Sequence, residues 1–267
     1  MLGWSTCQIF GWVISVVAVI LGYVQCFLFL HKYMVVKRTR ILRDLTAMSF
    51  AIVSALAGLP IFFVVSRYLP TQDAADRLIN IQTAFSFSGT AIGNLFLLSF
   101  IKSVFFENKM NMWMKALIFL EIIVIPSAPV VTILDLEPLL VLGPHAIASI
   151  VIYTIEAVKA FNITKHLKIT NGDPVSINGT MFIGLSGLFL DATIFLFVMQ
   201  EITFATRDVF EPLGLIDAVG CSLFVAAGLV AAMIAIAMLY LGYYVPDWIK
   251  KRWLARASRS RPSPLLG

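Results

Sequence analysis

QIFGWVISVVAVILGYVQCFLFLH, residues 8–31, contains no Asp, Glu, Lys or Arg. At ~1.5 Å per residue it makes a helix of roughly 36 Å, enough to cross a hydrocarbon layer of about 30 Å. No basic segment precedes it, and it is too long for the apolar part of a cleavable leader, so it reads as a first membrane span. The next stretch, KYMVVKRTRILR (residues 32–43), is strongly basic. An apolar run closed by such a segment is the pattern of a span that ends in the cytoplasm.

Six further apolar runs of spanning length follow, near 45–68, 79–105, 113–134, 139–161, 178–200 and 213–244. Short polar breaks separate them, among them Glu107-Asn108-Lys109, Asp135-Leu136-Glu137-Pro138 and Asn171-Gly172-Asp173-Pro174. The chain has 267 residues, 60% hydrophobic and 13% charged. Soluble domains carry about 25% charged residues, so this chain could not cover its apolar surface in water. The expected fold is an all-α polytopic membrane protein, a bundle of seven transmembrane helices occupying residues 1–245.

Charge fixes the expected orientation. Of the 20 Lys and Arg residues, all but Arg67, Arg77 and Arg207 fall after spans one, three and five or in the C-terminal tail. This asymmetry predicts an external N-terminus and an internal C-terminus in the plasma membrane. It also accounts for the net charge of +5 without invoking nucleic acid. Asn162-Ile163-Thr164 and Asn178-Gly179-Thr180 match the glycosylation pattern, but both fall on the expected cytoplasmic side and read as coincidences. Cys7, Cys26 and Cys221 have no metal-type spacing and are expected as buried free thiols.

The chain leaves its last span through LYLGYYVPDWIKKR, residues 239–252. Tyr240, Tyr243 and Tyr244 suit the inner interface, and Pro246 ends the span. Residues 246–257 combine Trp248, Ile249 and Trp253 with Lys250, Lys251 and Arg252, which predicts a short amphipathic helix along the inner surface. Residues 258–267 read as a disordered basic tail. This exit segment and the span count resemble the seven-helix membrane region of some archaeal and bacterial sensory proteins. There, a proline followed by tryptophan and basic residues closes the last span and often leads to a signalling domain. The resemblance implies a stand-alone prokaryotic sensor whose output is carried by a separate cytoplasmic partner, or by a homodimer.

Polar residues inside the spans nominate the site. Gln82, Ser86, Thr90 and Asn94 recur every fourth residue, so they share one face of the third span, with Gly89 and Gly93 nearby. That face is either a close helix contact or one wall of a polar cavity. Asp191, deep in the sixth span, must be protonated, paired or in a wet cavity. With His145 and Asp217 it is expected to face an outer cavity that binds a small molecule or lipid. Glu121, Glu156 and Asn94 form a candidate proton or ion site. Lys159 follows Glu156 by three residues and is expected to pair with it. Pro126 and Pro129 should kink the fourth span and free backbone carbonyls.

Several chemistries find no apparatus. A retinal Schiff base needs a lysine midway along the last span, and none lies between Leu215 and Tyr244. His31, His145 and His166 are too widely spread to hold a metal or haem together. No Gly-x-Ser-x-Gly, P-loop or Cys-x-x-Cys occurs. The expectation is therefore a ligand-binding sensor, not an enzyme, with no cofactor. A proton-coupled or solute carrier using Asp191 and Glu121, and a structural membrane subunit, are the alternatives. Reporter fusions at Lys37, Lys109, Lys165 and the C-terminus should read cytoplasmic, and those at Asp73 and Glu137 external. A strong reversal at any of these sites would break the seven-span topology.

Overall fold

The computed structural model describes residues 6–36, 38–65, 68, 72–134, 139–205 and 223–260. Its long helices are α1 (Thr6–His31), α2 (Arg40–Val65), α3 (Gln72–Phe105), α4 (Met112–Ile133), α5 (Leu139–Ile169), α6 (Pro174–Ala205) and α7 (Leu223–Tyr243). Among the described residues these are seven helices long and apolar enough to cross a membrane. The protein is thus a polytopic membrane protein. A π-helical turn, Lys32–Val36, ends α1, and a shorter helix, α8 (Asp247–Ser260), follows α7.

Each consecutive pair among α1 to α7 is in contact, and α1 also meets α7, so the seven close into a ring. α3 additionally reaches α5. The burial pattern is the reverse of a water-soluble protein. Glu121, Asn94, Ser149 and Glu156 are fully buried, whereas Val17, Ile20, Phe27, Phe119, Ile122 and Val158 face outward. Such an outer surface is stable only against lipid.

Local chemistry marks the helix ends. Thr39 Oγ1 accepts from the Leu42 N–H (3.3 Å) as the cap of α2. Asp173 does the same for α6, accepting from the Ser176 N–H (3.0 Å), with Pro174 at the first helical position. Asn171 takes φ 53°, and the Gly172 N–H closes the end of α5 on the Leu167 carbonyl (2.7 Å). The Asn171–Pro174 break is therefore a tight helix–helix turn. The threonines of the two glycosylation-like triplets face each other across it, Thr164 Oγ1 to Thr180 Oγ1 at 2.8 Å. They join α5 to α6.

Small residues set how closely the helices cross. A Cβ on Gly89 would fall 2.6 Å from the Ala55 Cβ, so α2 and α3 meet here with no room for a side chain. α5 and α6 are equally close at Gly187, where a Cβ would lie 2.7 Å from the Tyr153 carbonyl oxygen and 3.1 Å from the Ala157 nitrogen. Pro129 leaves the Ile125 carbonyl without its helical donor, and Ser88 of α3 supplies one, Oγ to O at 3.0 Å. The freed carbonyl expected in the fourth span thus serves helix packing.

α8 extends to Ser260, beyond the segment expected from polarity. The added residues are Ser258, Arg259 and Ser260, and the first helix breaker, Pro262, comes only after them. Trp253 stacks on Phe182 of α6, with ring centres 5.8 Å apart and planes 18° from parallel, which ties α8 to the bundle. Residues 261–267 lie outside the described residues.

Gly187→Leu should lower the thermal unfolding midpoint sharply or abolish folded yield, because the neighbouring atoms are backbone and cannot yield; overpacking costs ~1–3 kcal/mol or more. Gly143→Ala meets nothing within 4 Å and should leave the midpoint unchanged. Equal effects of the two substitutions on detergent-solubilised protein would contradict this packing.

Candidate functional site

Three helices bring polar side chains to one buried cluster. Asn94 of α3 donates through Nδ2 to Glu121 Oε1 of α4 (2.8 Å) and to Ser149 Oγ of α5 (2.8 Å). Its Oδ1 accepts from the Tyr153 hydroxyl (2.8 Å). Glu121 Oε2 meets His145 Nδ1 at 2.8 Å, and His145 Nε2 meets Thr90 Oγ1 at 2.9 Å. His145 is 2% exposed and Glu121 0%, so water cannot replace these bonds. In hydrocarbon an unpaired group at any of these positions would be costly.

The Thr90 hydroxyl has one proton and two kinds of acceptor. It lies 2.9 Å from the Ser86 carbonyl and 3.1 Å from the Phe87 carbonyl, as well as near His145 Nε2. If the proton goes to a carbonyl, His145 must donate from Nε2 to Thr90. If it goes to Nε2, His145 donates from Nδ1 to Glu121. The direction of the Thr90 hydroxyl and the proton arrangement of the His145–Glu121 pair are therefore tied together.

A cavity of about 130 Å³ adjoins this end of the network. Gln82, Ser86, Thr90 and His145 supply polar atoms to its wall, and Leu56, Leu59, Phe87, Ile194, Phe197 and Val225 are among its apolar residues. Gln82 Nε2 donates to Ser86 Oγ (2.9 Å) and to the Ala55 carbonyl (3.2 Å), and Ser86 Oγ donates to the same carbonyl (3.2 Å). For scale, an apolar cavity of ~150 Å³ admits a benzene ring.

The structure thus brings together Gln82, Ser86, Thr90 and His145 around one cavity. Asn94 and Glu121 lie behind it in the network. Asp191 does not join them. It is half-buried between α5 and α6, where Oδ2 accepts from Thr154 Oγ1 (3.0 Å) and Oδ1 has no partner. The turn of α6 that carries Ile194 toward the cavity points Asp191 toward α5. Asp217 lies outside the described residues.

Glu156 is fully buried, and no well-aligned hydrogen bond reaches its carboxylate, with Ser186 of α6 the hydroxyl facing it. The expected pairing with Lys159 does not form; Lys159 Nζ lies 4.7 Å from the centre of the Phe106 ring. Glu156 points into the α5–α6 contact, and Lys159 reaches another part of the helix surface. Cys26 is buried and free; Cys7 and Cys221 have no described side-chain environment. Among the described residues no group of three His, Cys, Asp or Glu side chains could hold a metal ion.

The network includes two residues that sequence reading missed, Ser149 and Tyr153. They follow His145 at four-residue spacing, the same signal that singled out the polar face of α3. Asp44 was also missed. It is buried at the start of α2, where Arg43 donates to Oδ1 (2.9 Å) and Ser99 Oγ to Oδ2 (2.6 Å). Its position within a basic stretch hid it. No family model matches this chain, and no curated protein or solved structure matches it.

Glu121→Gln keeps an acceptor for Asn94 and a donor for His145, so it should purify folded with a small loss of stability. Glu121→Leu strands Asn94 and His145 together and should cost several-fold more, on the order of 3–5 kcal/mol for one partner of a buried pair. Asp191→Asn should behave like wild type, since bonds of this kind between membrane helices average about 0.6 kcal/mol. Thermal melts of the three variants in one detergent check the order; a Gln variant as unstable as Leu would refute it.

Proposed function

We propose that this chain is a receptor-like seven-helix membrane protein that binds a small ligand in the cavity beside Thr90 and His145. One observation carries the reading: both residues line the cavity and both belong to the hydrogen-bonded network joining α3, α4 and α5. A ligand that takes the Thr90 hydroxyl proton, or gives it another donor, favours one of the two arrangements of the His145–Glu121 pair. That is a differential contact between two states, which any ligand-driven switch requires.

The charge asymmetry supports a cytoplasmic position for α8 and the start of α2, and with it a position for the cavity in the outer half of the bundle. α7 leads directly into α8. Trp248 on α8 is 61% exposed, which suits the inner membrane interface or a signalling partner. The resemblance of residues 239–252 to sensory membrane regions points the same way. A second reading, a proton-coupled carrier, draws on the buried Glu121–His145 pair, because intramembrane acid–histidine pairs also serve as proton relays.

The test uses purified protein in lipid nanodiscs and a panel of neutral small amphiphiles scored by thermal stabilisation. Compounds that stabilise the wild type should bind Thr90→Val roughly tenfold more weakly, the loss expected from one hydrogen bond. The same compounds should enter protein-containing liposomes no faster than empty ones. Undiminished binding by Thr90→Val would sink the receptor reading. Proton uptake under an imposed pH gradient, abolished in Glu121→Gln, would establish the carrier instead.

A further inference from the structure

Deeper in the bundle lies a second cavity of about 60 Å³. Leu56, Thr90, Ile194 and Phe197 line both it and the cavity beside His145, so the two cavities adjoin; together they make up the chamber. Its wall is mostly apolar, with two exceptions that stand out. Gln25 of α1 and Ser49 of α2 are 4% and 5% exposed, and neither the Gln25 carboxamide nor the Ser49 hydroxyl has a hydrogen-bond partner. Both residues line this deeper part. A buried carboxamide and hydroxyl left unmet in a membrane interior are destabilising unless something in the chamber bonds them.

The chamber's chemistry restricts what that can be. Among the described residues its only ionisable lining side chains are His145, at the outer end, and Tyr153, at the deeper end. Both His145 ring nitrogens are engaged, with Glu121 and Thr90. The Tyr153 hydroxyl proton goes to Asn94. Among the described lining residues no free charge is available to balance an anion or a cation, so they would leave a charged ligand uncompensated. Between the polar ends the wall is apolar, with Ile52, Val53, Leu56, Ile194 and Phe197. Along α2, Ser49 and Leu59 mark the two ends, ten residues or ~15 Å apart.

We infer that the ligand is a neutral, chain-like amphiphile with a hydrogen-bonding group at each end, one beside Thr90 and His145 and the other held by Gln25 and Ser49. A carboxamide offers a donor and an acceptor side by side, so the deep end group is one that returns both: a hydroxyl, a primary amide or an undissociated acid. This rests on the ligand-binding reading above, and it adds a second recognition point on helices that the network does not touch.

The test uses full-length protein in nanodiscs and a decanol carrying a photoreactive diazirine on its chain. Labelling should map to chamber residues such as Met48, Ile52 and Phe197. At matched membrane concentration, decanediol should displace the label about tenfold better than decanol, the gain from one added hydrogen bond. Gln25→Leu should remove that advantage, and Ser49→Ala should reduce it. Gln25→Leu replaces an unpartnered polar group with an apolar one, so its melting midpoint should hold or rise, which separates lost recognition from misfolding. Decanedioate, a dianion, should not displace the label; effective displacement by it would overturn the neutrality argument. If decanol and decanediol displace equally in wild type and Gln25→Leu alike, while Thr90→Val weakens both, the deep polar contact is wrong and the ligand-binding reading stands. If label falls only on lipid-facing residues such as Phe27 and Ile122 and nothing displaces it, both are wrong.

Discussion

A bilayer interior offers no water to a polar side chain, so every carboxamide, imidazole and carboxylate in a span must be met by another part of the protein. Asn94 is where this constraint is resolved for three helices at once. Its carboxamide bonds Glu121 of α4 and both Ser149 and Tyr153 of α5. Each bond is modest alone, since the average between membrane helices is about 0.6 kcal/mol. Their number and mutual orientation matter more, because the set can be satisfied only at one rotation of α3 against α4 and α5.

That rotation distributes the rest of α3. With Asn94 turned toward α4 and α5, Gly89 and Gly93 fall against α2, where a Cβ on either would meet Ala55 or Ile52 at 2.6 Å. Ser88 reaches the carbonyl that Pro129 frees in α4. Gln82, Ser86 and Thr90 turn toward the space enclosed by α2, α5 and α6 and become one wall of the cavity. Ile81, Phe85 and Ile92 of the same helix face outward, so the polar residues are confined to its inner side. The polar face is both a packing surface and a cavity wall, at different depths of one helix.

Span number was legible because it depends on summed hydropathy, which needs no knowledge of neighbours. The four-residue spacing of Gln82, Ser86, Thr90 and Asn94 was legible because helical periodicity is local. Pairing across helices was not. The partners of Glu121, Asn94 and His145, lie 27 and 24 residues away on other helices. Asp191 drew attention for its depth, but depth does not tell which way a side chain points, and it faces Thr154 instead of the chamber. The Glu156–Lys159 pairing failed for a related reason. Helical spacing permits such a contact, and the burial of Glu156 against α6 decided otherwise. Gln25 and Ser49 looked unremarkable in apolar helices until the fold left both without a partner.

The buried polar groups divide by what they do for the bundle. Asn94, Glu121, His145, Ser149 and Tyr153, on α3, α4 and α5, bond one another, so they hold the helices and have little capacity left over for a ligand. Gln25 and Ser49, on α1 and α2, bond nothing in the protein, so meeting them with a ligand disturbs no helix contact. Thr90 belongs to both groups: it lines both parts of the chamber and bonds His145. A molecule in the chamber can therefore gain binding energy from Gln25 and Ser49 without loosening the scaffold, and can act on the scaffold only through Thr90 and His145. Affinity and effect are then carried by different residues, which lets one vary while the other is kept.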